Sequence, residues 1–136
     1  MRLAEKISEL STSRVQKVGA IAVYDDDILG FGYNHIPFKE YSPCEDIVEV
    51  DGIVELIMNE HVEHAERALI YSCANSGISL RGATLFTTHS PCINCARAIL
   101  LSGITDVYWK YPHKTLDGVS FLKNYEDRVF IEQFRG

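Results

Sequence analysis

The strongest constraint on this chain is a pair of short motifs that have to meet in space. Pro91-Cys92-Ile93-Asn94-Cys95 sets two thiols at the opening of one apolar-periodic stretch, and His64-Ala65-Glu66 opens another, with His64 28 positions before Cys92. Two cysteines spaced this way at a helix N-terminus can bring both sulfurs to one point, and the helix dipole favours the thiolate that a metal requires. One imidazole and two thiolates make three ligands for zinc, one fewer than a structural site normally has; a catalytic site keeps the fourth position for water. Glu66, two residues past His64, is poorly placed to share the metal and well placed to move a proton of that water. Two helix starts must therefore converge.

Neither motif is decisive alone. Redox pairs and structural zinc sites share Cys-x-x-Cys, and His-x-Glu triplets arise by chance. Their conjunction, each opening a helix and with Pro91 ahead of the first cysteine, is the pattern of zinc deaminases that act on nucleobases. A competing set, His61 and His64 with Glu63, lacks the His-Glu-x-x-His order of a metalloprotease. Cys73 lies on an apolar helical face and Cys44 in a loop after Ser42-Pro43, and both are expected to be inert. No secretory signal is visible, which predicts a reducing, cytoplasmic location without disulfides.

Composition narrows the partners. At 136 residues and 46% apolar content the chain suits a single domain over 1–136, and no run approaches the roughly 18 apolar residues of a membrane span. The net charge is −6; basic residues are scattered and acidic ones cluster at Asp25-Asp26-Asp27 and between Glu45 and Glu63. Proteins that wrap nucleic acid need a basic patch, so a small substrate is expected rather than a polynucleotide or a membrane.

Leu3, Ile7 and Leu10 predict a short amphipathic helix over 2–12. Segments 18–24 and 28–33 read as strands joined at the aspartates, and 34–46 as loop. Val48 and Val50 alternate with acids before Asp51-Gly52, which predicts an excursion hairpin over 47–56. A helical period over 60–76 stops at Gly77, and a second helix, from Pro91 to about 102, stops at Gly103. Strands are predicted at 83–88, 105–109 and 129–134, with a helix over 117–127. The order predicts an α/β fold with one mixed five-stranded sheet flanked by helices.

Longer stretches carry a resemblance. His64-Ala65-Glu66-Arg67-Ala68-Leu69-Ile70-Tyr71, Leu80-Arg81-Gly82-Ala83-Thr84-Leu85-Phe86 and Pro91-Cys92-Ile93-Asn94-Cys95-Ala96-Arg97-Ala98-Ile99 resemble the deoxycytidylate (dCMP) deaminase family. So do Val18-Gly19-Ala20 and Gly32-Tyr33-Asn34, and together these span roughly 17–110. The resemblance implies a cytidine deaminase-like three-layer fold and one Zn2+ per subunit on His64, Cys92 and Cys95. It also implies hydrolysis of dCMP to dUMP and ammonia with Glu66 carrying protons, and a homo-oligomer, dimer or hexamer, often activated by dCTP and inhibited by dTTP. Two departures stand out. Family members usually have Asn where this chain has Ala68, and a glycine after the position of Asn34, where this chain reads Asn34-His35-Ile36-Pro37-Phe38. Loops of that kind hold the effector, so strong dCTP dependence is not expected.

The same resemblance places Asn34 on the sugar or base, although a loop-capping asparagine fits equally. Ser90 would offer its carbonyl to the departing amino group, or simply shape a turn, and Ala65 flanks Glu66 as a further substrate contact. Tyr108, Trp109 and Tyr111 would wall the pocket, with Tyr108 the candidate contact, or join the core. Arg14, Lys17, Lys110 and Lys114 are candidate phosphate partners among which the sequence does not choose. Val129-Phe130-Ile131 and Phe134 either complete the last strand or leave apolar surface for subunit contacts. Other readings keep the chemistry on cytidine, guanine, a riboflavin precursor or tRNA adenosine, the last disfavoured by the acidic balance. A non-catalytic zinc-stabilised interaction module would have no use for Glu66.

Overall fold

Two tight turns set the first strands. The computed structural model describes residues 1–136. Strands β1 (Gly19–Tyr24) and β2 (Asp27–Tyr33) are joined by Asp25 and Asp26, both at positive φ (50° and 68°), the mirror-image turn that matches strand twist. Asp51 and Gly52 (φ 52° and 78°) repeat the device between β3 (Glu45–Val50) and β4 (Ile53–Met58), the expected excursion hairpin. β1 also pairs antiparallel with β5 (Thr84–His89), while β6 (Asp106–Tyr111) and β7 (Phe130–Gln133) follow in parallel. The order β2-β1-β5-β6-β7 makes the expected mixed five-stranded sheet, and β3 and β4 stand apart as a two-stranded one.

Side-chain alternation divides the sheet into two faces. Ala20, Ala22, Leu85, Val107 and Ile131 share one core with Leu69 of α2 (Ala65–Asn75), Ala96 and Ile99 of α3 (Ile93–Ser102), and Val119 and Leu122 of α4 (Asp117–Lys123). Helix α1 (Arg2–Ser8) lies on the opposite face, where Lys110 Nζ meets Glu5 at 2.9 Å. The result is three layers, and no helix is long and apolar enough to cross a membrane.

Two glycines set how closely the helices approach. A Cβ at Gly32 would strike the Ala65 carbonyl oxygen and come 2.7 Å from the Leu69 nitrogen, so α2 lies against β2 at a distance only glycine permits. A Cβ at Gly118 would strike the Pro91 carbonyl oxygen and reach 2.7 Å from that of Cys92, which seats α4 on the entry to α3. Both contacts bear on helices that open with the metal-ligand candidates.

Several boundaries differ from expectation. The helix predicted over 60–76 begins only at Ala65, because Glu63 exchanges both backbone hydrogen bonds with His35 (3.2 and 2.8 Å) and holds its segment extended. The first helix ends at Ser8, where Ser11 and Ser13 turn inward, buried, to other partners. The last ends at Lys123 and continues as turns closed by Tyr125 N–H to Leu122 and Arg128 N–H to Tyr125. Gly77 (φ 70°) and Gly103 (φ 92°) stop α2 and α3 as expected.

Glu45, only 3% exposed, ties the base of the β3–β4 hairpin to the segment before β1. It accepts from Ser13 Oγ at 2.5 Å, Arg14 N–H at 2.6 Å and Val15 N–H at 3.4 Å. Burial pushes its carboxyl up, but these hydrogen bonds outweigh burial and hold the pKa below the usual carboxylate value. A group depressed on folding contributes its full stability above its unfolded pKa, about 4.3, and loses it as pH falls through the folded value. Glu45→Gln is expected to cost about 1–3 kcal/mol at pH 7, with the gap to wild type closing below about pH 4. Thermal melts of both proteins at pH 7 and pH 3 check this; an equal gap at both pH values refutes it.

Candidate active site and metal centre

The two sequence motifs occupy equivalent positions on their helices. His64 is the N-cap residue of α2 (φ −73°, ψ 152°) and Cys92 that of α3 (φ −71°, ψ 169°), each extended and each turned toward the other. His64 Nδ1 lies 3.5 Å from both Cys92 Sγ and Cys95 Sγ, and the three donor atoms lie within 4.8 Å of one another. Cys92 Sγ also accepts the Cys95 N–H at 3.4 Å, the capping bond that satisfies a free donor of the first turn.

The thiols are electronically unequal. The hydrogen bond from Cys95, against the opposing effect of burial, pulls the Cys92 thiol down to about 3, and His64 adds to the effect. The same bond and burial push the Cys95 thiol upward. Two soft sulfurs and one imidazole nitrogen converging on one point are the donor chemistry of zinc, and these residues fit it.

Glu66 stands beside this group, 4% exposed, and outside the donor cluster. Burial raises its pKa against the lowering effects of His64 and of hydrogen bonds from Cys95 and Thr87. Thr87 Oγ1 lies 3.1 Å from Glu66 Oε1 and 3.1 Å from the His89 carbonyl. With one hydrogen and two acceptors, it can donate to an ionised Glu66 or accept from a protonated one. The sequence reading missed Thr87: nothing in its local pattern separates it from any strand threonine, and only the pairing of β5 with β1 sets it facing α2.

The cavity in front of Glu66 is about 740 Å³. His64, Ala65, Glu66, Asn34, Ser90 and Cys92 all line it, so five of the expected contacts share one wall system with the proton carrier. Asn34 lines the cavity and also caps the loop: Oδ1 accepts the Val18 N–H at 2.9 Å and Nδ2 donates to the Gln16 carbonyl at 2.8 Å. Ser90 Oγ accepts the His113 N–H at 2.8 Å, and Ser90 N–H donates to the Tyr111 carbonyl at 2.9 Å. Tyr108, expected to contact substrate, does not line the cavity. Val107 and Trp109 face the α2–α4 layer, so alternation turns Tyr108 to the other side, where it packs on Phe86 (5.4 Å between centroids) and Phe130 (6.1 Å). Trp109 is core and Tyr111 is exposed, packed on His89. Sequence reading also missed Leu56 and Met58, which the excursion hairpin contributes to the cavity, and His89 and His113 on its far wall.

Of the four candidate cations, Lys114 alone lines this cavity. Arg14 lines a neighbouring hollow of about 570 Å³ with Lys39 and His61, and Lys110 is held by Glu5. Cys73 is buried on α2 as expected, and Cys44 is buried against the Asn34 carbonyl.

Residues 1–111 match the family described as the cytidine and deoxycytidylate deaminase zinc-binding region. The chain belongs to that family. Its fold is that of the dCMP deaminase from the cyanophage S-TIM5, solved in complex with dCMP and dUMP, with a TM-score of 0.84 and 33% identity covering 98% of this chain and 92% of that one. ComE operon protein 2 of Bacillus subtilis is 33% identical over 108 residues, 77% of this chain and 53% of its own length, so this chain spans about half of that relative. The deoxycytidylate deaminase of Enterobacteria phage T4 is 27% identical over 138 residues, covering 76% of this chain and 72% of its own. Family membership places the chain among deaminases, which are hydrolases.

Purified protein is expected to carry about one metal ion per chain, and Cys92→Ser to lose most of it. Elemental analysis of both proteins reads this directly; retention of full metal content by the variant would show that the ion sits elsewhere.

Proposed function

We propose that this chain is a single-domain, zinc-dependent dCMP deaminase that converts dCMP to dUMP and ammonia in pyrimidine nucleotide metabolism. The observation that carries the reading is a buried carboxyl, Glu66, beside a converging His-Cys-Cys donor set in a cavity of small-ligand size. Support comes from the likeness to a protein solved with dCMP and dUMP. The acidic chain and the lack of a basic stripe argue for a free nucleotide over a polynucleotide.

His64, Cys92 and Cys95 would hold the zinc ion, which when bound supplies a Lewis acid that lowers the pKa of water toward about 7. Glu66 takes the proton from the attacking water as oxygen adds to C4 of the base. It passes that proton to N3, then takes the remaining proton from the hydroxyl now on C4 and gives it to the departing amine, so that the C4–N bond breaks, C4=O forms and ammonia leaves. Burial favours the protonated Glu66 that the second half of this cycle needs, and Thr87 serves either state. Ser90, fixed by two backbone partners, presents a rigid edge for the departing amino group. Asn34 acts by holding residues 16–18 against the cavity.

The chain works as a homo-oligomer in this reading. Phe86, Tyr108 and Phe130 form an aromatic row on the sheet face that carries α1, with Phe130 exposed, and Ile47, Val50, Ile53 and Val54 of the hairpin are exposed as well. Val129, just before β7, and Ile131 within it are buried, so the surplus apolar surface lies elsewhere than in those two residues.

Glu66→Ala is expected to keep fold and metal and to lower kcat by about 10²–10⁴-fold, read by ammonia release and circular dichroism. A variant with half the wild-type rate would show that another group carries the protons. dCMP is expected to be a better substrate than deoxycytidine, and light scattering at micromolar concentration to give a multiple of 15.3 kDa whether or not dCTP is added. Equal efficiency on nucleoside and nucleotide, or a strict monomer, would overturn the corresponding half.

A further inference from the structure

We propose that Glu63 is a positioning residue of the metal centre: its side chain fixes the main chain of His64 and so aims the imidazole at the two sulfurs. This rests on the zinc-dependent reading above and adds a residue that lies outside both the donor set and the cavity wall.

His64 has two jobs and its side chain performs only one. It is the N-cap residue of α2, a position whose side chain ordinarily accepts a free N–H of the first turn. Its ring makes no such bond and is turned to Cys92 and Cys95 instead. Cys92, the corresponding residue of α3, does both, since its sulfur also accepts the Cys95 N–H. Helix α2 therefore starts without a cap from its own N-cap residue. The direction of the imidazole is then set by whatever holds residue 64 at φ −73° and ψ 152°.

Glu63 supplies that hold with both its backbone and its side chain. Its N–H donates to the His35 carbonyl at 2.8 Å and its carbonyl accepts the His35 N–H at 3.2 Å, two residues past the end of β2. His35 is itself pinned: Nδ1 donates to the Tyr33 carbonyl at 2.7 Å, and the ring packs on that of Tyr33 with 4.9 Å between centroids. Glu63 Oε1 then accepts the His64 N–H at 3.1 Å and meets Arg67 Nε at 2.7 Å. The Arg67 and Glu63 side chains are only 24% and 23% exposed, so this pair escapes much of the screening that weakens surface ion pairs. One oxygen thus ties the N-cap residue to the third residue of α2. The neighbouring Glu60 does nothing comparable: its side chain is 90% exposed and reaches only His61, at 3.7 Å.

Such a clasp acts through geometry. Groups that orient a metal ligand from outside the donor set are worth about 10- to 100-fold in metal affinity, because a ring held off its direction binds poorly. The bond to the His64 N–H needs an oxygen acceptor at this place, and an amide oxygen serves as well as a carboxylate one.

The test measures Zn2+ affinity by chelator competition, and the rise in Tm on Zn2+ loading, in wild type, Glu63→Ala, Glu63→Gln and Glu60→Ala. Glu63→Ala should weaken Zn2+ binding about 10- to 100-fold. It should also shrink the Zn2+-induced rise in Tm, since an ion stabilises the fold according to how tightly it binds. Glu63→Gln should stay within about threefold of wild type, and Glu60→Ala should match it. Should the alanine variant not fold, Glu63→Met, which keeps the stem and lacks the oxygen, reads the same loss. Unchanged affinity in Glu63→Ala, with apo and Zn2+-loaded forms losing the same Tm, marks an ordinary helix ion pair and overturns the positioning role. A Glu63→Gln protein as weak as Glu63→Ala, or an equal loss in Glu60→Ala, overturns it too. A wild-type protein that binds no Zn2+ overturns the metal reading itself, and the clasp with it.

Discussion

Everything at this site depends on two helix starts being forced together. The first residues of α2 and α3 supply the imidazole and both sulfurs, and three electron-rich atoms within 4.8 Å do not associate of their own accord. They are held there by packing. Gly32 lets α2 lie on the sheet closer than any side chain allows, and Gly118 lets α4 close on the carbonyls of Pro91 and Cys92. The core of Leu69, Leu85, Ile99 and Leu122 then fixes both helices against the central strands. The stability of the sheet sandwich offsets the cost of gathering the donors, which is how a folded scaffold prepares a metal centre.

The same frame divides the site between a buried interior and a more exposed rim. Glu66 and Thr87 face each other from α2 and β5, deep in the interior, where low polarity makes a proton carrier effective. His113 and Lys114 line the same cavity from the segment between β6 and α4, nearer to solvent. Ser90 links the two regions, since its backbone and side chain bind the rim while the next two residues lead to the cysteine helix.

Much of this was legible in the sequence because helix starts and tight turns are local events. Asp51-Gly52, Gly77 and Gly103 each act on their immediate neighbours, and each falls where local rules put it. His64, Cys92 and Cys95 are recognisable by residue type and spacing alone. The failures involve contacts distant in the chain. Glu63 left its helical period for His35, a partner 28 residues away, so the helix started late. Tyr108 is aromatic and near the end of a strand, but which face it takes is decided by the phase of β6 against β5. The roles of Thr87, Glu45 and Leu56 exist only once β1, β5 and the hairpin are in place, and nothing in their own neighbourhoods announces them.

The contact at Gly118 has a consequence for biosynthesis. All three donors have been translated by residue 95, yet the helix that braces them spans Asp117–Lys123 and the strand that closes the sheet spans Phe130–Gln133. Chains emerge N-terminus first, so the thiols leave the ribosome ahead of the parts that hold them in register. The bracing of the centre waits on residues 117–133, and a nascent chain stalled upstream of Gly118 carries both cysteines without it. Assembly of the centre is thereby coupled to synthesis of residues 117–133, which contribute no donor of their own yet hold the donors in place.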